Sequence, residues 1–371
     1  MPPVPILPDY GGACVSEVVP ALLGHQRRPW LPGLVASADQ VVLLVVDGLG
    51  WEQLQARRDL APTLAAMTGG PITTVCPTTT ATALTSLSTG RPPRQHGVVG
   101  YRIRVRVPEV EVLNVLRWTT ATGDARERVL PEAVQPFEPF AGAKPPVVTR
   151  SEFAESGFTR AHLAGSRLAG WRYPSTLVAH VDRLVREGHP FVYAYYPGLD
   201  TVAHEFGFGR VYDRELASAD RLAGDLLAAL PADAALVVVA DHGQVDVGER
   251  VVPVHPDVAA LTTLLSGEAR FRWLHAAPGH EGRLLDIARD RHGDQAWVMS
   301  RDEVAAAGWL GPGPLTEEVA ERLGDVALVA HAPVAFLDPA DSGSYLLQCR
   351  HGSLTSAEVL VPLLAARGWR E

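Results

Sequence analysis

Val41-Val42-Leu43-Leu44-Val45-Val46-Asp47-Gly48 is the stretch that decides the fold. An apolar run rich in valine and without alternation, stopped by a turn dipeptide, reads as a strand buried on both faces. The pattern returns at Phe191 to Tyr196 and at Leu236 to Ala240, each ending near polar residues. Trp51 to Met67 reads as a helix, and Leu216, Ala219, Ala223, Leu226, Leu227 and Leu230 recur at helical spacing. Strands alternating with helices predict an α/β fold with a mostly parallel sheet flanked by helices, whose ligands sit at the carboxyl ends of the strands. Asp47, Asp200 and Asp241 lie at or just beyond such ends.

The chain has 371 residues, 47% hydrophobic and 20% charged, a globular composition that argues against disorder. Its formal charge of -9 argues against a surface built to bind a polyanion such as DNA by bulk charge. A phosphate-bearing substrate must then be attracted locally, by a metal or a few arginines. Cys14, Cys76 and Cys349 are too few and too scattered for a disulfide framework or a thiolate zinc site. Met1 to Pro8 lacks the basic start and apolar run of a signal peptide, and no stretch has the length of a membrane span. A cytoplasmic location without membrane association is expected.

Two regions break the α/β rhythm. Arg102 to Val107 alternates arginine with Ile or Val, Pro108 follows, and Glu109 to Val112 alternates Glu with Val. This predicts a hairpin in which arginines and glutamates are cross-strand partners. Thr119 to Gly170 is irregular, and Glu249 to Tyr345 is a second elaboration with strands expected at Phe271 to Leu274 and Val326 to Ala330. The reading is one domain over 1–371, with insertions over about 102–170 and 249–345 capping a single core.

Chemistry concentrates in five places. Asp47 ends the first core strand. Pro77-Thr78-Thr79-Thr80 opens a small-residue segment running to Ser88-Thr89-Gly90, read as a helix whose start carries hydroxyls. Such a start can receive a phosphoryl group through free N–H groups and the helix dipole, or Thr79 or Thr80 can simply cap it. Asp200 and His204 are four residues apart, on one side of a helical turn, a spacing that suits a shared metal. Asp241-His242-Gly243 follows a buried strand, where adjacent polar side chains are either ligands or part of a strand-end turn. His351-Gly352-Ser353 precedes Thr355-Ser356-Ala357-Glu358, a capping box expected to start a C-terminal helix. Three aspartates, three histidines and a threonine form an oxygen and nitrogen donor set without thiolate. It suits two divalent ions, zinc first, with manganese or magnesium less favoured by so much imidazole.

These segments, with Val46-Asp47-Gly48 and His96-Gly97-Val98-Val99, occur in the order and spacing of one family. The sequence resembles the type I phosphodiesterase/nucleotide pyrophosphatase branch of the alkaline phosphatase superfamily. The resemblance covers most of the core and implies an alkaline phosphatase-like fold. It places the nucleophile ten residues before Gly90, at Thr80. It further implies one metal on Asp200, His204 and His351, and another on Asp47, Thr80, Asp241 and His242. There are departures. Ala81-Thr82-Ala83 stands where eukaryotic-type members carry Phe-Pro-Asn, and a phosphate-binding asparagine of many diesterases aligns near Tyr101. Cys76 lacks the Cys-x-Pro-x-Arg context of a sulfatase formylglycine and reads as a buried small residue.

A threonine hydroxyl is a weak nucleophile at neutral pH, and coordination to a cation lowers its pKa. The expected activity is hydrolysis of phosphodiesters or nucleotide pyrophosphates through a phosphothreonine intermediate, on a small phosphate-ester or nucleotide substrate. Tyr101 and Arg102 are candidate substrate contacts, weighed against core packing and ion pairing. A phosphomonoesterase or phosphomutase on the same core is the alternative, and a non-catalytic metal-stabilised binding protein the third reading. Thr78 and Thr79 differ from Thr80 only in register. His96, His180, His255 and His275 read as structural or exposed.

Overall fold

The computed structural model describes residues 3–341 and 347–370. Its centre is the strand Gln40–Val46, whose apolar residues from Val41 onward are all buried. It pairs in parallel with Ala234–Val239 on one side and Phe191–Tyr196 on the other, Leu43 lying between Val237 and Tyr193. Pro146–Arg150 and Arg167–Trp171 extend the sheet in parallel beyond Phe191–Tyr196. On the opposite edge Leu360–Arg367 runs antiparallel to Ala234–Val239 and pairs with Thr68–Thr73, completing seven strands. The fold is α/β, with a mostly parallel sheet. Helix Arg210–Ala229 packs against both Gly198–Phe206 and Pro174–Arg186, and Pro174–Arg186 also lies against the sheet.

Several sequence expectations change. The helix expected over Trp51 to Met67 is broken into Trp51–Gln55, a short 3-10 turn and Pro62–Ala66. Pro62 forces the residue before it out of the α region, so one helix cannot run through. The C-terminal helix is a single turn, Ser356–Val359, that passes directly into the strand Leu360–Arg367. The apolar run that follows the turn is claimed by the sheet edge. The insertion expected over 102–170 is shorter, because Pro146–Arg150 and Arg167–Trp171 belong to the central sheet. What remains is a small four-stranded sheet that begins with the hairpin Arg102–Arg106 and Val110–Asn114. The region from 249 carries its own four-stranded sheet, built from Thr262–Glu268, Phe271–Ala276, Val326–Ala330 and Ala296–Ser300. Residues 342–345 of that expected insertion lie outside the described residues.

In the first hairpin the register is Arg102 to Asn114, Arg104 to Val112 and Val105 to Glu111. The three residues of the turn place the even-numbered arginines opposite Asn114, Val112 and Val110, so the expected arginine–glutamate pairing does not form. Glu111 pairs instead with Arg128 at 2.8 Å.

Among the described residues no helix is long and apolar enough to cross a membrane. Leu43 is fully buried at the sheet centre, whereas Leu60 is 40% exposed. Leu43→Ala should therefore lower unfolding free energy by about 2–5 kcal/mol in urea denaturation, and Leu60→Ala by less than about 0.5 kcal/mol.

Candidate active site

Three neighbouring strands deliver side chains to one crevice at their carboxyl ends. Asp47 follows Gln40–Val46, Asp241-His242 follows Ala234–Val239, and Asp200 and His204 sit on Gly198–Phe206, the helix after Phe191–Tyr196. Gly48 makes the close approach possible. It has φ +75, and a Cβ there would lie 2.5 Å from Gln244 Nε2 and 2.9 Å from Asp200 Cα. Thr80 is the first residue of the helix Thr80–Thr89, and its hydroxyl lies 3.1 Å from His242 Nε2.

The seven residues singled out in the sequence converge. His242 Nε2 is 3.5 Å from Asp47 Oδ1 and 3.4 Å from Asp241 Oδ2. His204 Nε2 and His351 Nε2 lie 3.3 and 3.8 Å from Asp200 Oδ1. The rings of His242 and His351 stack with centroids 3.7 Å apart. Ligand-type atoms of Asp200, His204 and His351 form one group within 4.8 Å, and those of Asp47, Asp200 and His242 form another. Asp200 thus stands between the two groups rather than in one alone.

The imidazoles are held in a single sense. Nδ1 of His204 faces the Cys349 carbonyl at 2.6 Å, that of His242 the Gly243 carbonyl at 3.1 Å, and that of His351 the Thr78 carbonyl at 2.8 Å. A carbonyl only accepts, so each Nδ1 carries the proton and each Nε2 presents a lone pair to the crevice. The carboxylates are less content. Asp241 Oδ1 accepts from the N–H groups of Gly48 and His242 at 3.1 and 3.0 Å, and Asp47 Oδ2 accepts from the Tyr195 hydroxyl. Asp47 Oδ1 and Asp241 Oδ2 are buried with no donor. Burial first, then the neighbouring Asp241 and Asp200, pushes the Asp47 carboxyl well above the usual range. Burial likewise raises Asp241 and, with the neighbouring His242 and His204, drives His351 well below the usual histidine range.

A divalent ion fits this set. Neighbouring corners of a tetrahedron with zinc–ligand bonds of ~2.0–2.1 Å are about 3.3 Å apart, close to the shorter separations above. Orphaned carboxylate oxygens facing imidazole lone pairs lack only a cation.

The other threonines are committed elsewhere. Thr78 Oγ1 donates to the Ser353 carbonyl at 2.9 Å and accepts from Gly352 N at 3.0 Å. Thr79 occupies the N-cap position without a capping side-chain bond, and its hydroxyl is turned toward Glu268. Arg102 is likewise engaged. Its Nη1 donates to Asp338 and, at 2.6 Å, to Asp341, so its guanidinium is held by two carboxylates rather than offered to a substrate. The Tyr101 hydroxyl accepts from Asn114 Nδ2 at 2.6 Å, and its N–H donates to Glu268 at 2.9 Å. His96 and His275 bond to Ser86 and Ser266, and His255 caps a short helix, all outside the cluster. A groove of about 680 Å³ lies between the two inserted sheets, bordered by Arg102, Asn114, Leu264 and Asp338.

Sequence reasoning missed the supporting residues. Tyr195 holds Asp47, and Gln244 Nε2 donates to Asp200 at 3.1 Å. A tyrosine one residue from the end of a fully buried strand was a usable signal for Tyr195. Glu268 came from an unrelated segment with no such signal; burial pushes its carboxyl up to about 8.

The buried parallel sheet carries a carboxylate–imidazole cluster at its strand ends, and the family match identifies the chain as a hydrolase of phosphoester bonds. The family model for type I phosphodiesterase/nucleotide pyrophosphatase matches residues 41–181 and 118–354, and the chain belongs to that family, within the alkaline phosphatase superfamily. The family is metal-dependent. No curated protein matches the chain in sequence. Among solved structures, murine ectonucleotide pyrophosphatase/phosphodiesterase 5 superposes with TM-score 0.66 at 14% identity, over 88% of this chain and 87% of that one. The human protein of the same name gives 0.65 at 15%, over 88% and 87%. Phosphonoacetate hydrolase from Sinorhizobium meliloti 1021 gives 0.62 at 19%, over 90% and 92%.

Because Gly48 is the contact point between three site-bearing segments, Gly48→Ala should reduce kcat/KM at least about tenfold through misplaced ligands. Steady-state kinetics on soluble protein would check this, and a variant with unchanged kcat/KM would contradict it.

Proposed function

We propose that this phosphohydrolase cleaves phosphodiesters or nucleotide pyrophosphates with Thr80 as nucleophile, and that its residues hold two divalent ions, zinc by donor chemistry. The observation that carries the reading is the convergence of three carboxylates and three imidazoles in one crevice, with the Thr80 hydroxyl 3.1 Å from His242 Nε2. Asp200, His204 and His351 would hold one ion, and Asp47, Asp241, His242 and Thr80 the other, with Asp200 at their boundary. Bound cations supply the positive charge that acidifies the threonine hydroxyl and offsets charge on the phosphoryl oxygens.

The chain's own residues do the rest. Thr80 stands at the start of a ten-residue helix, whose free N–H groups and dipole favour an anion beside the hydroxyl. Attack by Oγ1 in line forms the Thr80–phosphorus bond as the bond to the leaving oxygen breaks, and the proton given up by the Thr80 hydroxyl ends on that oxygen by way of solvent. Water then cleaves the phosphothreonine and restores the hydroxyl. The fixed tautomers keep Nε2 of each histidine as a lone-pair donor, so the imidazoles act as ligands rather than proton shuttles.

Substrate class follows from charge. A monoester brings one more negative charge, which an additional arginine or metal must meet. Arg102, the arginine singled out as a candidate substrate contact, is held by Asp338 and Asp341. This supports diesters and pyrophosphates over the monoesterase or phosphomutase alternative, and the names of the murine and human neighbours point the same way.

Three outcomes are expected. Chelation should abolish hydrolysis, and zinc or manganese should restore it; full activity at trace metal content in elemental analysis would end the reading. Thr80→Ala should eliminate turnover with metal content largely intact while Thr80→Ser stays partly active, whereas a dead Thr79→Ala beside a normal Thr80→Ala would move the nucleophile. A bis-aryl phosphate should show higher kcat/KM than the matching aryl phosphate under one metal condition, and a strong monoester preference would promote the alternative.

A further inference from the structure

The expected capping box at Thr355 to Glu358 serves another purpose. Glu358 is fully buried, and its carboxylate turns inward to Arg270, at the tip of the hairpin formed by Thr262–Glu268 and Phe271–Ala276 in the second inserted sheet. Arg270 Nε and Nη2 reach the two carboxylate oxygens at 2.8 and 2.9 Å. Its remaining donors go to the carbonyls of Ala330, Ala332 and Val334 at 3.2, 2.9 and 2.7 Å. All five N–H groups are used. The remaining acceptor capacity of Glu358 takes Ser353 N at 3.0 Å and the Thr355 hydroxyl at 2.6 Å.

Those contacts lead to the site by two routes. Ser353 lies two residues after His351, and its carbonyl receives the Thr78 hydroxyl that also holds Gly352, while the Thr78 carbonyl holds His351 Nδ1. Thr78 in turn leads to Thr80. By the second route, the backbone carbonyl of Glu358 accepts from Gly243 N at 2.9 Å, and Gly243 carries the carbonyl that fixes His242. One residue therefore ties together the segments carrying His351, Thr80 and His242, and one arginine of the inserted sheet holds that residue.

We propose that Glu358, clamped by Arg270, is a positioning residue of the phosphoryl-transfer site, setting where His351 and His242 present their lone pairs. The inference rests on the reading of these histidines as metal ligands. A buried ion pair is a weak stabiliser, because desolvation offsets its attraction and well-packed apolar residues often do as well. The directed bonding of Glu358 to two site loops gives the pair a geometric role that apolar packing would not supply.

The test uses the full chain with Glu358→Gln and Arg270→Lys. The first keeps the side-chain shape and removes the charge, and the second keeps the charge and removes the two-point clamp. Both should weaken retention of a bound zinc ion, measured by competition with a chromophoric chelator, by about 10–100-fold. Both should lower kcat on a bis-aryl phosphate with KM changed far less. A lower melting temperature with wild-type zinc affinity and kcat would assign the pair to stability and overturn the positioning role. Failure of both variants to fold would do the same, by making the pair a requirement of the core. Wild-type protein that binds no zinc would instead sink the metal-ligand reading itself, so the two failures are distinguishable.

Discussion

Two buried carboxylate oxygens without donors, Asp47 Oδ1 and Asp241 Oδ2, set the constraint on which the rest of this structure depends. Both lie beside His242 Nε2, and Asp47 is grouped with Asp200, which His204 and His351 approach from the other side of the cluster. Burial together with neighbouring like charge raises the Asp47 and Asp241 carboxyls and lowers His351. With cations the same atoms attract rather than repel. The surrounding architecture can be understood as what is needed to keep unlike-minded groups in place: a fully buried parallel sheet, a glycine where segments nearly touch, and a backbone carbonyl behind each imidazole.

That rigidity reaches into the inserted sheets. Arg102 and Arg272 from two different sheets are drawn onto Asp338 and Asp341, and Arg270 onto Glu358. These arginines would be obvious phosphate ligands if read from charge alone. Their engagement with carboxylates turns these three guanidinium groups away from an incoming phosphate, and the net charge of -9 supplies no bulk attraction for one. The insertions thereby act on the chemistry by bracing the loops and by neutralising charge.

Much of this was legible in the sequence. Val41 to Val46 reads as a doubly buried strand because nothing in it alternates; Asp47, Asp241 and His242 stand out because polar residues directly after such runs have a cost that a crevice or ligand removes, Asp200 and His204 because of their four-residue spacing, and His351 through the resemblance. What was not legible came from competition between local and tertiary signals. Thr355 to Glu358 carries a helix-start pattern, yet the sheet edge captures the apolar residues after it. The arginines and glutamates of the Arg102 hairpin alternate as if paired, but a three-residue turn sets the opposite parity. Gln244 and Glu268 support the site from segments whose local sequence gives little sign of it, since their roles exist only once distant segments meet.

The most direct test of the account is where cations sit. A crystal of zinc-loaded protein, measured by anomalous diffraction at the zinc edge, should show two peaks, one bounded by Asp200, His204 and His351 and one by Asp47, Asp241, His242 and Thr80. No peak at the cluster, with Asp47 and Asp241 instead sharing a proton across their facing oxygens, would contradict it.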